Sequence, residues 1–234
     1  MSKQALVERF FEVLISGDRA GARAIIEECI DADAPADQII EQLFWPTLSH
    51  IEQLFRNDQL SVLSHNCATR LLRMLTDQMQ MRLPVGESNG KSVLFLCGLT
   101  EPNELAGQMG ADLLEAAGFG VTFAGGGVAN DEIVSTLSQA EPDALVLFSS
   151  VPQDLPNIRV LIDQLHDMGV CPKLQIVVGG GVFNRAEGLA EEIGADVWTD
   201  SPSGLVATLN NKSEQRMGAD QRTVGRRRRQ GRAA

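Results

Sequence analysis

The sequence has no uninterrupted apolar run near the roughly 20 residues that span a bilayer. Its first stretch carries Glu8 and Glu12 within the apolar part, so it does not resemble a signal peptide. Paired cysteine spacing is absent as well, which is typical of reduced core thiols. These absences predict a cytoplasmic protein without a membrane segment. The separated cysteines are Cys29, Cys67, Cys97 and Cys171.

Basic residues are scarce over most of the chain. The 234 residues include 31 acidic and 20 basic ones, for a formal net charge of −11. Residues 212–234 hold eight bases and two acids, so residues 1–211 carry a formal charge of −17. Because phosphate attraction needs clustered bases, direct DNA contact is not expected except through residues 212–234. That segment lacks periodicity and apolar content, and it is predicted to be a basic disordered tail. The tail could instead contact an acidic partner or fold back on the acidic body.

Recognisable catalytic clusters are missing too. The three histidines, His50, His65 and His166, are scattered along the chain, and no serine lies in a nucleophile elbow. No group of histidine, cysteine and carboxylate residues has metal-ligand spacing. The composition, with 44% hydrophobic residues, suits a globular chain. The sequence therefore favours a binding module that is not an enzyme.

Residues 1–83 have helical periodicity only and predict an N-terminal four-helix bundle. The third helix contains Pro46, which removes a backbone donor and predicts a kink. The fourth helix, from about residue 60 to residue 83, is apolar on two sides, so one side is left for a second domain or a ligand. One side carries Leu60, Leu63, Cys67, Leu71 and Met74, and the other carries Val62, His65, Thr69 and Leu72.

Residues 84–90, PVGESNG, are predicted to be a linker. Residues 91–211 then alternate short continuous apolar runs with helical stretches. This pattern predicts an α/β domain, a five-stranded parallel doubly wound sheet of the flavodoxin or Rossmann-like kind. Ligands of such sheets bind beyond the carboxyl ends of the strands. The predicted strands are residues 91–98, 119–125, 143–150, 174–181 and 195–199.

Several residues beyond these strands have two interpretations each. Asn103, which follows Glu101, either caps the next helix or contacts a ligand. Ser149, with Ser150, either binds a polar ligand or caps a helix. The glycine runs 125–127 and 179–181 form tight turns or admit a large flat or phosphorylated ligand. His65 is either a satisfied interface residue or a ligand to a metal.

A helical bundle, a linker and a five-stranded α/β domain together resemble the cobalamin (corrinoid)-binding modules of methionine synthase, of corrinoid proteins in methyltransferase systems, and of light-responsive regulators. The resemblance covers about residues 35–211. Residues 48–62 are similar to the family's helix-turn-helix, with Phe55 where the family usually has tryptophan. His65-Asn66 aligns with a Glu-His pair of the family's regulators.

The α/β part carries two further family elements. Ser149-Ser150-Val151 is similar to the family's Ser-x-Leu, and Gly179-Gly180 to its Gly-Gly. The resemblance implies that these residues line the nucleotide tail of cobalamin. The family's Asp-x-His-x-x-Gly, whose histidine is the lower ligand of cobalt, is degenerate here, with Glu101, Asn103 and Ala106 at its three signature positions.

The resemblance implies a non-catalytic, cytoplasmic sensor that signals through a protein partner such as a transcription factor, similar to light-, redox- or tetrapyrrole-responsive regulators of bacterial photosynthesis genes. Its cleft would hold cobalamin without a lower-ligand histidine, or haem with His65 as the metal ligand, or nothing. The alternative is a corrinoid carrier protein of a methyltransferase system, and a homo-oligomer is compatible with either. The candidate cofactor-binding residues are Phe55, His65, Asn66, Glu101, Asn103, Ser149, Val151, Gly179 and Gly180.

Overall fold

A computed structural model describes residues 2–169 and 171–217 of the chain. The chain divides into two compact units, and the boundary lies between Gly86 and Glu87. This boundary falls within the segment that the composition predicts to be a linker. The two units are described separately below.

The N-terminal unit is built from helices whose starts are fixed by short polar side chains. Ser2, Asp18 and Ser61 each accept a hydrogen bond from a backbone N–H of the following first turn, which satisfies a donor that the helix leaves unpaired. The rings of Phe10 and Phe44 stack in the core at 5.7 Å. The helices are α1 (Lys3–Ser16), α2 (Arg19–Asp31), α3 (Ala36–Ile39), α4 (Trp45–Arg56) and α5 (Val62–Gln80).

The irregularity expected at Pro46 takes the form of a π-helical turn over Ile40–Phe44, which joins α3 to α4. The N–H of Trp45 donates to the carbonyl of Ile40, five residues back. Pro46, the residue after Trp45, has no N–H, so the helical hydrogen-bond ladder is also interrupted there. The wider turn therefore lies where the proline already breaks the α-helical pattern.

Helix α5 buries most of its leucines but leaves the apolar residues of its first turn exposed. Leu63 is 74% exposed and Val62 is 63% exposed, although both belong to the predicted apolar stripes. His65, Thr69 and Leu72 are buried. The sequence predicts that the side of α5 with His65 packs against a second domain or a ligand. At His65, this side is instead covered by Glu52 and Phe55 of α4, in the same unit.

The C-terminal unit contains a five-stranded, all-parallel sheet with the strand order β2-β1-β3-β4-β5, which confirms the predicted fold class. The strands are β1 (Ser92–Cys97), β2 (Gly120–Gly125), β3 (Ala144–Phe148), β4 (Gln175–Gly179) and β5 (Val197–Thr199). The helices are α6 (Glu101–Ala116), α7 (Asn130–Ala140), α8 (Leu155–Met168), α9 (Gly181–Arg185), α10 (Leu189–Ile193) and α11 (Pro202–Asn211).

Alternate side chains of β1 face opposite layers of helices, as the two-residue period of a strand requires. Leu94 and Leu96 belong to a core with residues of α7 and α8. Phe95 points the other way and packs against Gly110 of α6, which also approaches Leu205 of α11. The sheet is therefore covered on both faces, which explains why its strands are almost continuously apolar.

The strand register aligns the carboxyl ends of the central strands. Cys97 pairs with Phe148, Phe148 with Gly179, and Gly179 with Thr199. The loops that follow β1, β3, β4 and β5 therefore begin at one level of the sheet. The strand order reverses between β1 and β3, and such a switch point is where open α/β sheets bind ligands.

The segment predicted to be a disordered tail from residue 212 is ordered at its start. The N–H of Met217 donates to Asp196 Oδ1 at 2.7 Å, and Gln175 Nε2 donates to the carbonyl of Lys212 at 2.6 Å. Residues 212–217 are thus anchored to the α/β unit by these bonds. Residues 218–234, which carry the predicted DNA-contacting arginines, lie outside the described residues. Over the part of the chain that is described, no helix is long and apolar enough to cross a membrane.

Candidate functional site

Asn103 lies buried in the first turn of α6, at the carboxyl edge of the sheet, with only 1% of its surface exposed. The helix begins at Glu101, and Thr100 occupies the N-cap position, so Asn103 is not the cap. Its Nδ2 lies 3.5 Å from Asp154 Oδ2, at the outer limit of a hydrogen bond. Its Oδ1 is buried and has no hydrogen-bond partner. An unpaired buried amide oxygen is costly, and such atoms concentrate at functional sites.

Asp154 connects the loops that follow β1 and β3. Ser149, which is fully buried at the end of β3, donates its hydroxyl to Asp154 Oδ2 at 2.6 Å. The Ser149 hydroxyl also lies 3.1 Å from the carbonyl of Val151 and accepts the Val151 N–H at 3.3 Å. One carboxylate oxygen therefore lies within reach of two donors, Asn103 in the first turn of α6 and Ser149 at the end of β3.

Gly98 makes room for this junction. A Cβ at Gly98 would lie 2.2 Å from both Asn103 Nδ2 and Asp154 Oδ2. Real Cβ atoms do not approach polar atoms so closely, so any larger residue would separate Asn103 from Asp154. The glycine that ends the predicted first strand is therefore required by the packing of the site.

Gly179 and Gly180 at the end of β4 have a similar constraint. A Cβ at Gly179 would lie 2.4 Å from the ring of Phe148, and one at Gly180 would lie 2.4 Å from the carbonyl oxygen of Ser149. Gly180 also has φ +96°, a conformation that L side chains rarely adopt. The amide of Ser149 donates to the carbonyl of Gly179 at 2.9 Å. The Ser-x-Val and Gly-Gly elements are thus in direct contact.

The remaining sequence-predicted residues have different environments. Glu101 is partly exposed at the start of α6, together with Glu104 in the same first turn. Val151 is partly exposed and immediately precedes the short turn Pro152–Asp154. Asn66 is exposed on α5, in the N-terminal unit. Within the C-terminal unit, the structure therefore brings Asn103, Ser149, Gly179 and Gly180 to one edge of the sheet.

His65 is engaged inside the N-terminal unit. Its Nε2 lies 2.6 Å from Glu52 Oε1, and its ring stacks on Phe55 at 3.9 Å with 22° between the planes. The residue is 7% exposed. Nε2, one of the two ring nitrogens that could bind a metal, therefore already contacts a carboxylate. Among the residues that the structure describes, no group of three or more His, Cys, Asp or Glu side chains could hold a metal ion.

Asp154 is the site residue that the sequence analysis missed. It follows the third predicted strand, residues 143–150, whose last two residues are Ser149 and Ser150. A carboxylate five residues after Ser149 was a usable signal, because the loop after that strand opens at the carboxyl edge of the sheet. No pattern in the sequence, however, pairs Asp154 with Asn103, since the two lie 51 residues apart.

Two family models described as B12 binding domains match the chain, one over residues 93–206 and another over residues 6–79. The first covers the five-stranded sheet and its helices, and the second covers α1 to α5. The two matches therefore correspond to the two units.

Curated relatives align with most of this chain and with nearly all of their own length. Dimethylamine corrinoid protein 1 of Methanosarcina acetivorans is 22% identical over 209 residues, covering 88% of this chain and 97% of that protein. Trimethylamine corrinoid protein of Methanosarcina barkeri is 22% identical over 215 residues, covering 89% and 96%. The structure of the Methanosarcina barkeri monomethylamine corrinoid protein superposes with a TM-score of 0.68 at 16% identity, over 88% of this chain and 98% of that one.

These findings correct the functional expectation. The prediction of a sensor that signals to a transcription factor was wrong, because the relatives that match over nearly their full length are named as methylamine corrinoid proteins. The similarity to regulators of photosynthesis genes and the expectation of haem, with His65 as its ligand, conflict with the same relatives. What the comparisons support is the two-domain layout and its B12-binding fold. Each of the two units therefore matches a B12 binding domain model, and the corrinoid proteins named above align with both units.

Proposed function

We propose that this chain is a corrinoid carrier protein of a methyltransferase system. The observation that carries the proposal is similarity along the whole length of small corrinoid proteins, 88% of this chain against 97% of the relative. Such coverage includes both units rather than the α/β unit alone. The proposal replaces transcriptional regulation and gives the chain a methyltransferase as its partner.

The packing of the carboxyl edge supports a corrinoid as the ligand. Ser149 is fully buried, and the absence of side chains at Gly179 and Gly180 lets the end of β4 pack closely against Phe148 and the Ser149 carbonyl. These are the residues that match the family's Ser-x-Leu and Gly-Gly elements, and their mutual contacts hold them in one arrangement.

Residue 103 does not fit the role of a lower cobalt ligand. Asparagine has no imidazole nitrogen, and its Nδ2 is directed at Asp154. Amide oxygens suit hard ions such as Mg²⁺ and Ca²⁺, whereas imidazole suits transition metals. We therefore infer that the corrinoid is held by the fold without a cobalt ligand from residue 103, and we assign no transfer step to this side chain.

A bound corrinoid would supply the cobalt centre that accepts and releases the methyl group. The chain's own contribution is to bind and to orient. Asp154 fixes the loop after β3 through Ser149 and contacts α6 through Asn103.

A transfer assay tests the carrier role. The full chain is loaded with methylcobalamin, separated from free cofactor, and mixed with purified corrinoid-dependent methyltransferases and their methyl acceptors. The proposal predicts that the methyl–cobalt absorption disappears only when the matching methyltransferase is present.

The control is a variant in which residues 179–180 cannot adopt the backbone conformation seen in the structure. Gly180→Ala should lose the cofactor during separation and so show no transfer, whereas Gly188→Ala should behave like the unmodified chain. Gly188 also has a positive φ, but a Cβ there meets nothing within 4 Å. Stable corrinoid binding with no transfer to any methyltransferase tested would contradict the carrier role.

A further inference from the structure

The side of the sheet that faces α6 is filled by aromatic rings next to the carboxyl edge. Phe95 of β1 and Phe148 of β3 are fully buried, and their ring centroids lie 5.0 Å apart. Phe123 of β2 meets Phe95 edge-on, with 5.6 Å between the ring centroids. These three rings, called the aromatic layer below, therefore occupy the interior beside the ends of β1 and β3.

Helix α6 lies directly on the aromatic layer. A Cβ added at Gly107 would lie 3.0 Å from the ring of Phe123, and one added at Gly110 would lie 3.0 Å from the ring of Phe95. The two glycines therefore let the helix backbone approach the rings closely. Contacts this tight at two positions on one face of α6 leave no gap between the helix and the rings that another group could enter.

The elements that resemble the family's Ser-x-Leu and Gly-Gly close the same interior at its edge. Ser149 is fully buried, and a Cβ added at Gly179 would lie 2.4 Å from the ring of Phe148. The resemblance implies that these residues line the nucleotide of a cobalamin. In the structure, however, the space that Gly179 leaves is already filled by Phe148. The residues present therefore do not fit a buried nucleotide.

A carboxylate lies at the mouth of this interior, between the first turn of α6 and the end of β3. Asp154 Oδ2 accepts a hydrogen bond from Ser149 at 2.6 Å and lies 3.5 Å from Asn103 Nδ2. The nucleotide arm of cobalamin contains a negatively charged phosphodiester. Like charges repel more strongly where water is excluded, so a phosphodiester that entered between Asn103 and Ser149 would be repelled by Asp154.

The size of the base opposes entry as well. Dimethylbenzimidazole is bicyclic and larger than a phenylalanine ring, and protein interiors are close-packed. The base would fit beside the aromatic layer only if α6 moved away from β1, because overfilling a packed core is itself destabilising. That movement would expose apolar residues of α6 that are now buried, such as Leu105 and Met109. A base that stays in solvent disturbs none of this packing.

We propose that this chain binds a corrinoid through the corrin ring and leaves the nucleotide arm in solvent. This assignment rests on the proposed carrier function and names the part of the cofactor that the chain recognises. A corrinoid that lacks the nucleotide should then bind as tightly as cobalamin does.

Comparison of methylcobalamin with methylcobinamide, which has the same corrin ring and no nucleotide, tests the proposal. Equilibrium dialysis of the full chain gives a dissociation constant for each. The two constants should agree within about threefold, because the nucleotide adds no buried contact. Methylcobinamide binding that is weaker than this would overturn the proposal and leave the carrier function intact. Retention of neither corrinoid would instead contradict the carrier function, and the ring assignment would be wrong with it.

Two glycine variants show whether both corrinoids use the same edge of the sheet. Gly180→Ala, which introduces a Cβ 2.4 Å from the Ser149 carbonyl oxygen, should lose methylcobinamide as well as methylcobalamin. Gly188→Ala, where a Cβ meets nothing within 4 Å, should retain both. A folded Gly180→Ala variant that loses methylcobalamin but keeps methylcobinamide would contradict recognition through the ring at this edge.

Phosphorus nuclear magnetic resonance of the methylcobalamin complex locates the nucleotide arm directly. A soluble, neutral gadolinium chelate is added, and the increase in relaxation rate of the phosphodiester signal is compared with that of free methylcobalamin. The proposal predicts the same increase for the bound and the free cofactor, since the phosphodiester is in solvent in both. Protection of the phosphorus signal in the complex would show that the protein buries the nucleotide arm, and would overturn the proposal.

Discussion

The side-chain amide of Asn103 lies 3.5 Å from the carboxylate of Asp154, and this pair joins the first turn of α6 to the loop after β3. Ser149 donates to the same carboxylate oxygen, so the ends of β1 and β3 share one acceptor. The position at which the family resemblance expects a cobalt-binding histidine is thus occupied by a residue engaged with the protein itself.

Replacing Asn103 with histidine tests this alignment. If residue 103 occupies the lower-ligand position, Asn103→His should raise the affinity for cobalamin at least about tenfold, because a metal–nitrogen bond is gained. The measurement is an absorbance titration, complemented by electron paramagnetic resonance of the Co(II) form in protein labelled with ¹⁵N-histidine. Gln108→His, further along the same helix, should leave the affinity unchanged. Equal affinities for the three proteins would show that the loop is misaligned.

Asp154 should stabilise the folded α/β unit even when no ligand is bound. Asp154→Ala leaves the buried Ser149 hydroxyl and the Asn103 amide without their common acceptor, and we expect a loss of about 1–3 kcal/mol in the free energy of unfolding. Urea denaturation followed by circular dichroism measures this loss. Asp163→Ala, which removes an exposed ion pair with Arg159 on α8, should cost less than about 1 kcal/mol. Equal losses in the two variants would argue against the junction.

Two glycines with positive φ offer a matched comparison. Gly180→Ala adds a methyl group that would lie 2.4 Å from the Ser149 carbonyl oxygen, whereas at Gly188 the methyl group meets nothing within 4 Å. Gly188 has the left-handed conformation, which costs an L residue about 1–2 kcal/mol. Gly180, at φ +96° and ψ 174°, lies in a region that is almost restricted to glycine. We therefore expect Gly180→Ala to lower the melting temperature clearly more than Gly188→Ala. The reverse order would mean that the end of β4 is not packed as described.

His65 should act as a structural residue of the N-terminal unit. His65→Ala removes the stacking on Phe55 and leaves the mostly buried Glu52 carboxylate without this partner. We therefore expect the free energy of unfolding to fall by about 2–4 kcal/mol. The exposed His50, which has an edge contact with Phe11 at 4.8 Å, is the control. Its replacement by alanine should cost less than about 1 kcal/mol. Comparable thermal shifts in the two variants would contradict a structural role.

The sequence predicted the sheet more fully than the site. Continuous apolar runs such as 143–150 are readable because a parallel strand buried on both faces needs no alternation. The buried face of α5 was misjudged at Leu63, because periodicity cannot distinguish a leucine that packs from one that is exposed. Asn103 was correctly singled out, but its partner Asp154 depends on a contact across 51 residues.

The most direct measurement of the central claim is equilibrium dialysis of the full chain against hydroxocobalamin, with absorption spectra of the retained cofactor. The account predicts one corrinoid per chain, retained in the unmodified protein and in Gly188→Ala and lost in Gly180→Ala. A parallel dialysis against haem should leave no stoichiometric chromophore. Absence of corrinoid from the folded, unmodified chain would contradict the claim that this two-domain protein is a corrinoid carrier.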